Sequence, residues 1–224
     1  MRMYKARRVS AVILAAGSGQ RMGADENKVY LLLGGKPVIL HALEAFDQHP
    51  FVDELVVVTR GEEEALMRAV TGGLRKPRRI VTGGETRQAS VRKALAHVKS
   101  KIVLIHDGAR PLVGAAEISA CVRALGRDCA GAVLALEMGE QVAHLGKKKA
   151  LEVLEPPLYA AQTPQGFYTK VLRRCHKRYG DDAAVTDDSS LLELAGYRVG
   201  IVPGDGRNIK ITTPLDLVCA EAYL

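Results

Sequence analysis

Val9-Ser10-Ala11-Val12-Ile13-Leu14-Ala15-Ala16-Gly17-Ser18-Gly19-Gln20-Arg21-Met22-Gly23 decides how this chain folds. The first six residues are an apolar run of strand length, and the glycines behind them end it in a turn. Glycines after a strand let the backbone approach a phosphate chain, because successive N–H groups form an anion-binding concavity. The spacing is GxGxxxG rather than the GxGxxG of dinucleotide folds, and no acidic residue ends the second apolar run to hold a ribose. Nor does the turn close on the Gly-Lys-Ser or Gly-Lys-Thr of a P-loop. The basic start, Met1 to Arg8, mimics a signal peptide, but the apolar run feeds this turn and not a cleavage site. A buried first strand is the expectation.

Outward from this stretch, short apolar runs recur at 55–58, 80–81, 102–105, 132–136 and 199–202. Helix-length amphipathic segments lie between them, at about 38–47, 62–71, 86–98, 115–126, 167–179 and 187–195. The alternation predicts a doubly wound α/β domain, its mostly parallel sheet covered on both faces. A last helix is predicted after Thr213-Pro214, with Thr213 as N-cap and Pro214 in the first turn. Residues 139–158 break the pattern with β-like pieces at 141–145 and 151–154, three successive lysines and Pro156-Pro157. They read as a projecting β-arm turning at Gly146-Lys147, on a chain otherwise forming a single domain over 1–224. Such an arm meets another chain or closes over a ligand.

With 224 residues, 47% of them hydrophobic, the chain can bury a substantial core, yet no apolar stretch is long enough to cross a membrane. A net charge of +7 points to an acidic partner. Aromatics make up 4% and Trp is absent, which leaves few stacking platforms for nucleic acid and favours a phosphorylated small molecule. Cys121, Cys129, Cys175 and Cys219 are too scattered for a zinc or redox motif and fit a reducing, cytoplasmic setting.

Four motifs carry chemistry. In the first, Arg21 and Lys28 stand beside the glycine turn, suited to stabilising charge that develops on a phosphoryl centre. The second, Gly83-Gly84-Glu85-Thr86-Arg87-Gln88-Ala89-Ser90, ends a strand and opens a helix, so the glycines admit a flat group and Ser90 can offer it a hydroxyl. The third, His106-Asp107-Gly108-Ala109-Arg110-Pro111, puts at a strand end a carboxylate that can hold Mg²⁺ and an arginine that can reach an anion. His106 reads as a packing and hydrogen-bonding residue. The fourth, Gly206-Arg207-Asn208-Ile209-Lys210-Ile211-Thr212, raises Lys210 toward the same edge, its backbone fixed by Ile209 and Ile211.

These four motifs, with Gln162-Thr163-Pro164-Gln165-Gly166-Phe167 and Thr186-Asp187-Asp188-Ser189-Ser190, occur in an order that closely resembles the 2-C-methyl-D-erythritol 4-phosphate cytidylyltransferases. The resemblance implies a Rossmann-like fold, CTP as co-substrate, Mg²⁺ as cofactor, a polyol phosphate as acceptor and a homodimer clasped by the arm. It implies that Arg21 and Lys28 stabilise the α-phosphorus, that Asp107 holds the metal and that Lys210 positions the acceptor phosphate. Ala15, Ala16, Gly17, Gly84 and Ser90 would hold the nucleotide. Gly19, Gly83, Arg87 and Gly108 are further nucleotide-binding candidates, and Arg110 and Thr163 are substrate-binding candidates beside Lys210.

The chain departs from the family where an arm arginine is usual, three residues before the Leu-Tyr pair that precedes Gln162. That position is Glu155. A carboxylate cannot grip a phosphate, so either other cations, Lys147 to Lys149 or Lys210, take the role or the acceptor differs. Ribitol 5-phosphate cytidylyltransferases share most of these motifs and are the near alternative. An NADP-dependent reductase would explain a glycine turn and Arg60 but not Lys28, Asp107 and Lys210.

Overall fold

The structure, a computed structural model, describes residues 8–17, 27–126, 128–145, 151–155, 157–180 and 185–224. Gly19, Arg21, the Gly146-Lys147 turn and Lys147 to Lys149 lie outside them.

Strand β1 (Val9–Leu14) is an interior strand of a seven-stranded sheet. After a short hairpin, β2 (Leu32–Leu33) and β3 (Lys36–Pro37), the chain enters α1 (Val38–Gln48) and returns as β4 (Glu54–Thr59), parallel to β1. Helix α2 (Glu64–Val70) leads to the edge strand β5 (Arg78–Thr82), also parallel. Helix α3 (Arg87–Leu95) then carries the chain back across to β6 (Ile102–Asp107), which pairs with β1 on its other side. This reversal between β1 and β6 makes a topological switch point, where open α/β sheets leave a crevice beyond the strand ends. β1, β4 and β6 read as continuous apolar runs because both of their faces are buried.

The far half of the sheet holds a strand that the apolar pattern does not predict. After α4 (Ala115–Ala124) and β7 (Gly131–Glu137), β10 (Tyr159–Tyr168) runs antiparallel between β6 and β7. Proline in a run argues against a central strand, since it removes a ladder donor. Here Pro164 falls where the register with β7 shifts between Gln162 and Gln165, so that donor is not needed. The helix expected from 167 accordingly starts later, as α5 (Thr169–Tyr179), and Phe167 is a fully buried strand residue.

Helix α6 (Asp188–Leu194), edge strand β11 (Val199–Pro203) and α7 (Pro214–Glu221) complete the chain. Thr213 caps α7 as predicted, its side chain accepting from Asp216 N–H, with Pro214 in the first turn. Between β7 and β10 the arm forms a separate antiparallel pair, β8 (Ala143–Leu145) with β9 (Leu151–Val153). Met138 N–H to Leu158 O at 2.8 Å closes its root. Two apolar cores fill the faces of the sheet, one centred on Phe46, Leu43 and Ile13 and the other on Phe167, Ile105 and Leu191. Among the described residues no helix is long and apolar enough to cross a membrane.

Candidate active site

Three loops leave the sheet at one level because their backbones are stitched together where the strands end. Ala15 N–H reaches Val58 O at 2.7 Å, Gly83 N–H reaches Thr59 O at 2.8 Å, and Gly108 N–H reaches Leu14 O at 2.8 Å. Two glycines make the closeness possible. A Cβ on Gly83 would lie 2.6 Å from Ala16 Cβ, and one on Gly108 would lie 2.9 Å from Leu14 O.

Beyond the loops opens a cleft of about 470 Å³ at the switch point. Ala15, Ala16 and Gly17 line it from β1, Gly84, Arg87 and Ser90 from the start of α3, and Asp107 from β6. Lys28 and Lys210 come to it from distant parts of the sequence. Nine of the expected site residues thus meet on one cavity. Gly83, Gly108, Arg110 and Thr163 stand behind its wall.

Ser90 braces the second loop, its Oγ accepting from Gly84 N–H at 3.0 Å. Asn27, Val29, Glu85, Thr86 and Ala109 also line the cleft and carry no motif signal that singles them out. Asn27 caps the 3₁₀ turn Lys28–Tyr30, and its Nδ2 donates to Ala15 O at 2.8 Å and to Glu63 Oε2 at 2.9 Å. Arg60 donates to Gly17 O at 2.8 Å and lies 3.5 Å from Glu63. Both ends of the glycine loop are therefore tied to one carboxylate on the neighbouring strand connection.

Asp107 is the electrostatic centre. Lys210 Nζ lies 2.7 Å from its Oδ2 and Arg87 Nε 3.6 Å from its Oδ1. Burial opposes ionisation, but Arg87, Lys210 and Arg110 together outweigh it and hold the carboxyl well below the usual carboxylate range. Lys210 is aimed by its neighbours: Ile211 is fully buried and donates its N–H to Ala109 O at 2.8 Å. Asn208, also buried, donates to Thr163 O and to Glu117.

Thr163 acts from behind Asp107. Its Oγ1 accepts from Asp107 N–H at 3.1 Å and lies 3.1 Å from His106 Nδ1. The other ring nitrogen of His106 faces Arg110 O at 3.1 Å, a pure acceptor, so Nε2 carries the proton and Nδ1 receives one from Thr163. Burial lowers the His106 pKa to about 4, which keeps this tautomer neutral. Arg110 donates to Asn208 O at 2.6 Å, and burial lowers its pKa against the pull of Asp107 and Glu117.

The sequence model of the family described as 2-C-methyl-D-erythritol 4-phosphate cytidylyltransferase matches residues 9–224. A protein of that name from Geotalea uraniireducens (strain Rf4) is 40% identical over 229 residues, 97% of each chain. One from Caldanaerobacter subterraneus subsp. tengcongensis is 42% identical, covering 96% of this chain and 98% of the relative. Among solved structures, the 4-diphosphocytidyl-2C-methyl-D-erythritol synthase of Anaerococcus prevotii superposes with a TM-score of 0.86 at 29% identity, over 97% of this chain and 98% of that one. A match over nearly the whole chain leads to one conclusion: the chain belongs to the 2-C-methyl-D-erythritol 4-phosphate cytidylyltransferase family.

Proposed function

We propose that the chain transfers CMP from CTP to 2-C-methyl-D-erythritol 4-phosphate and releases pyrophosphate. An oxygen of the acceptor phosphate attacks the α-phosphorus of CTP, and the bond from that phosphorus to the β-phosphate oxygen breaks. The observation that carries this reading is the convergence of Lys28, Arg87, Asp107 and Lys210 on a switch-point cleft floored by Ala15, Ala16 and Gly17. No side-chain nucleophile is needed, because positioning and charge stabilisation carry phosphoryl transfer. Lys28, and Arg21 on the same loop, would stabilise charge on the α-phosphoryl group. Lys210 would receive the acceptor phosphate, while the loops at Gly17 and Gly84 would hold the nucleotide.

Asp107 fits Mg²⁺, which binds through one or two carboxylates and completes its shell with water and substrate phosphates. Against its burial, Arg87 and Lys210 hold the carboxyl below the usual carboxylate range, so it would offer the ion a charged oxygen at the cleft. The ion would supply neutralisation of the triphosphate. Residues 1–224 would act as one nucleotidyltransferase domain, working in the cytoplasm as a homodimer. Val153, Leu154 and Tyr159 are exposed along the arm and its root, an apolar strip suited to a second copy. Glu155 is exposed on the same arm and does not line the cleft of its own chain, where Lys210 would take the acceptor phosphate. The comparisons lend no support to the ribitol 5-phosphate or NADP readings.

Pyrophosphate release tests the proposal. CTP with methylerythritol phosphate and Mg²⁺ is expected to release it, and EDTA to stop it. Equal turnover of UTP or ATP would contradict the cytidine assignment, and undiminished turnover after metal removal would contradict the role of Asp107.

A further inference from the structure

The segment Thr186-Asp187-Asp188-Ser189-Ser190 takes no part in the cleft lining, yet it holds a fully buried carboxylate. Asp188 opens α6, and each of its oxygens faces one donor. Arg87 Nη1 lies 2.7 Å from Oδ2, and His176 Nε2, from α5, lies 2.9 Å from Oδ1. A buried carboxylate is costly without such partners. Arg87 also turns its Nε toward Asp107 at 3.6 Å, so one guanidinium spans two carboxylates. The two contacts are unequal. The short bond goes to buried Asp188, and the close partner of Asp107 is Lys210.

We propose that Asp188 is the positioning residue for Arg87, holding its guanidinium on the cleft wall and off Asp107. A planar guanidinium beside a carboxylate closes into a bidentate pair when nothing else holds it. Without Asp188, Arg87 would close on Asp107 and cover the oxygens that face the cleft. The anchor itself is fixed from several sides, as a positioning element requires. Asp187 caps α6 and accepts from Gln165 Nε2 at 2.7 Å, and Gln165 Oε1 accepts from Ser189 N–H. Gln88, next to Arg87 on α3, donates to Val185 O at 2.7 Å. The two helix starts are thereby locked together, and His176 fills the far oxygen of Asp188 from behind.

The consequence for catalysis rests on the proposed cytidylyl transfer, while the anchoring of Arg87 does not. Four variants separate them: Asp188→Ala, Asp188→Asn, Arg87→Ala and the double alanine. Asp188→Ala should lower kcat/KM for CTP roughly 10²-fold, the scale of a misplaced group near a reacting centre. Asp188→Asn keeps an oxygen for Nη1 and should recover most of that loss. In the Arg87→Ala background, Asp188→Ala should cost nothing further. A merely structural role would lower the thermal midpoint and subtract again in the double variant.

Should Asp188→Ala fail to fold, Arg87→Lys keeps the charge without the fork that spans both carboxylates, and its kcat/KM should fall as well. The Arg87 Nη–H signal in nitrogen-15 NMR, identified by its absence from Arg87→Ala, needs no substrate. It should be protected from exchange in the unsubstituted protein, through the bond to Asp188, and should exchange freely in folded Asp188→Ala. Unchanged kcat/KM in folded Asp188→Ala, full rates in Arg87→Lys or an unprotected Arg87 signal would each overturn the proposal. Absence of CTP turnover by the unsubstituted protein would instead count against the reaction, and the NMR signal would still decide the anchor.

Discussion

In the proposed reaction Asp107, Lys210 and Lys28 carry different parts of the same electrostatic task. Lys28 stands on the phosphate loop, so its charge matters most when the α-phosphoryl group gains negative charge. Lys28→Ala should lower kcat by on the order of 10²-fold, the range for losing a preorganised charge-stabilising donor. Lys210 ends a segment fixed by Asn208 and Ile211, and Lys210→Ala should chiefly lower kcat/KM for the acceptor. Steady-state kinetics with circular dichroism checks both; wild-type rates in folded variants would remove both residues from the mechanism. His106 gives a pH prediction. Its folded pKa of about 4 lies below the ordinary 6.5, so its contribution is fully present above about pH 6.5 and is lost as pH falls to about 4. The difference corresponds to about 3 kcal/mol. Thermal midpoints should therefore fall less between pH 6.5 and 4 in His106→Gln than in the unsubstituted protein, and parallel curves would contradict the assignment. The motifs made Asp107, Lys28 and Lys210 legible because charged residues beside strand-ending glycines have few structural uses. Asn27 and Glu63 were not legible, because their roles depend on contacts across 12 and 36 residues that no local spacing reveals.

At the scale of elements, the strands buried on both faces were readable as apolar runs, and so was the Thr213 cap. Strand β10 was not. Gln162 to Gly166 are polar or small, and they stay buried through hydrogen bonds to Asp205, Asp107, His106 and Asp187. A strand whose side chains are satisfied that way leaves no period-2 apolar signal. The arm is the reverse case, a β-pair legible by its alternation but with apolar residues left exposed. Deleting 142–153 and closing the gap with a short Gly linker should give a folded monomer, because an isolated two-stranded pair gains its cover from a partner. Sedimentation showing a dimer of unchanged affinity would contradict this. Glu155 belongs to the same element. Glu155→Arg should leave kcat nearly unchanged and lower KM for methylerythritol phosphate, since an added cation supplies uniform binding. An unchanged KM would place the residue outside acceptor recognition.

Over the whole molecule, a single crossover sets the site. The chain runs outward from β1 to β5, returns to β6, and leaves a crevice between two strands that both end in loops lining the cleft. The positive net charge of +7 favours encounter with a triphosphate and a phosphorylated polyol. The most direct test of the account is kcat/KM for methylerythritol phosphate against ribitol 5-phosphate, each with saturating CTP and Mg²⁺. The account predicts pyrophosphate release with both the reaction and the preference in favour of methylerythritol phosphate, by about tenfold or more, a difference of about 1.4 kcal/mol in transition-state binding. Equal or greater kcat/KM with ribitol 5-phosphate, or no CTP-dependent release with either, would contradict it.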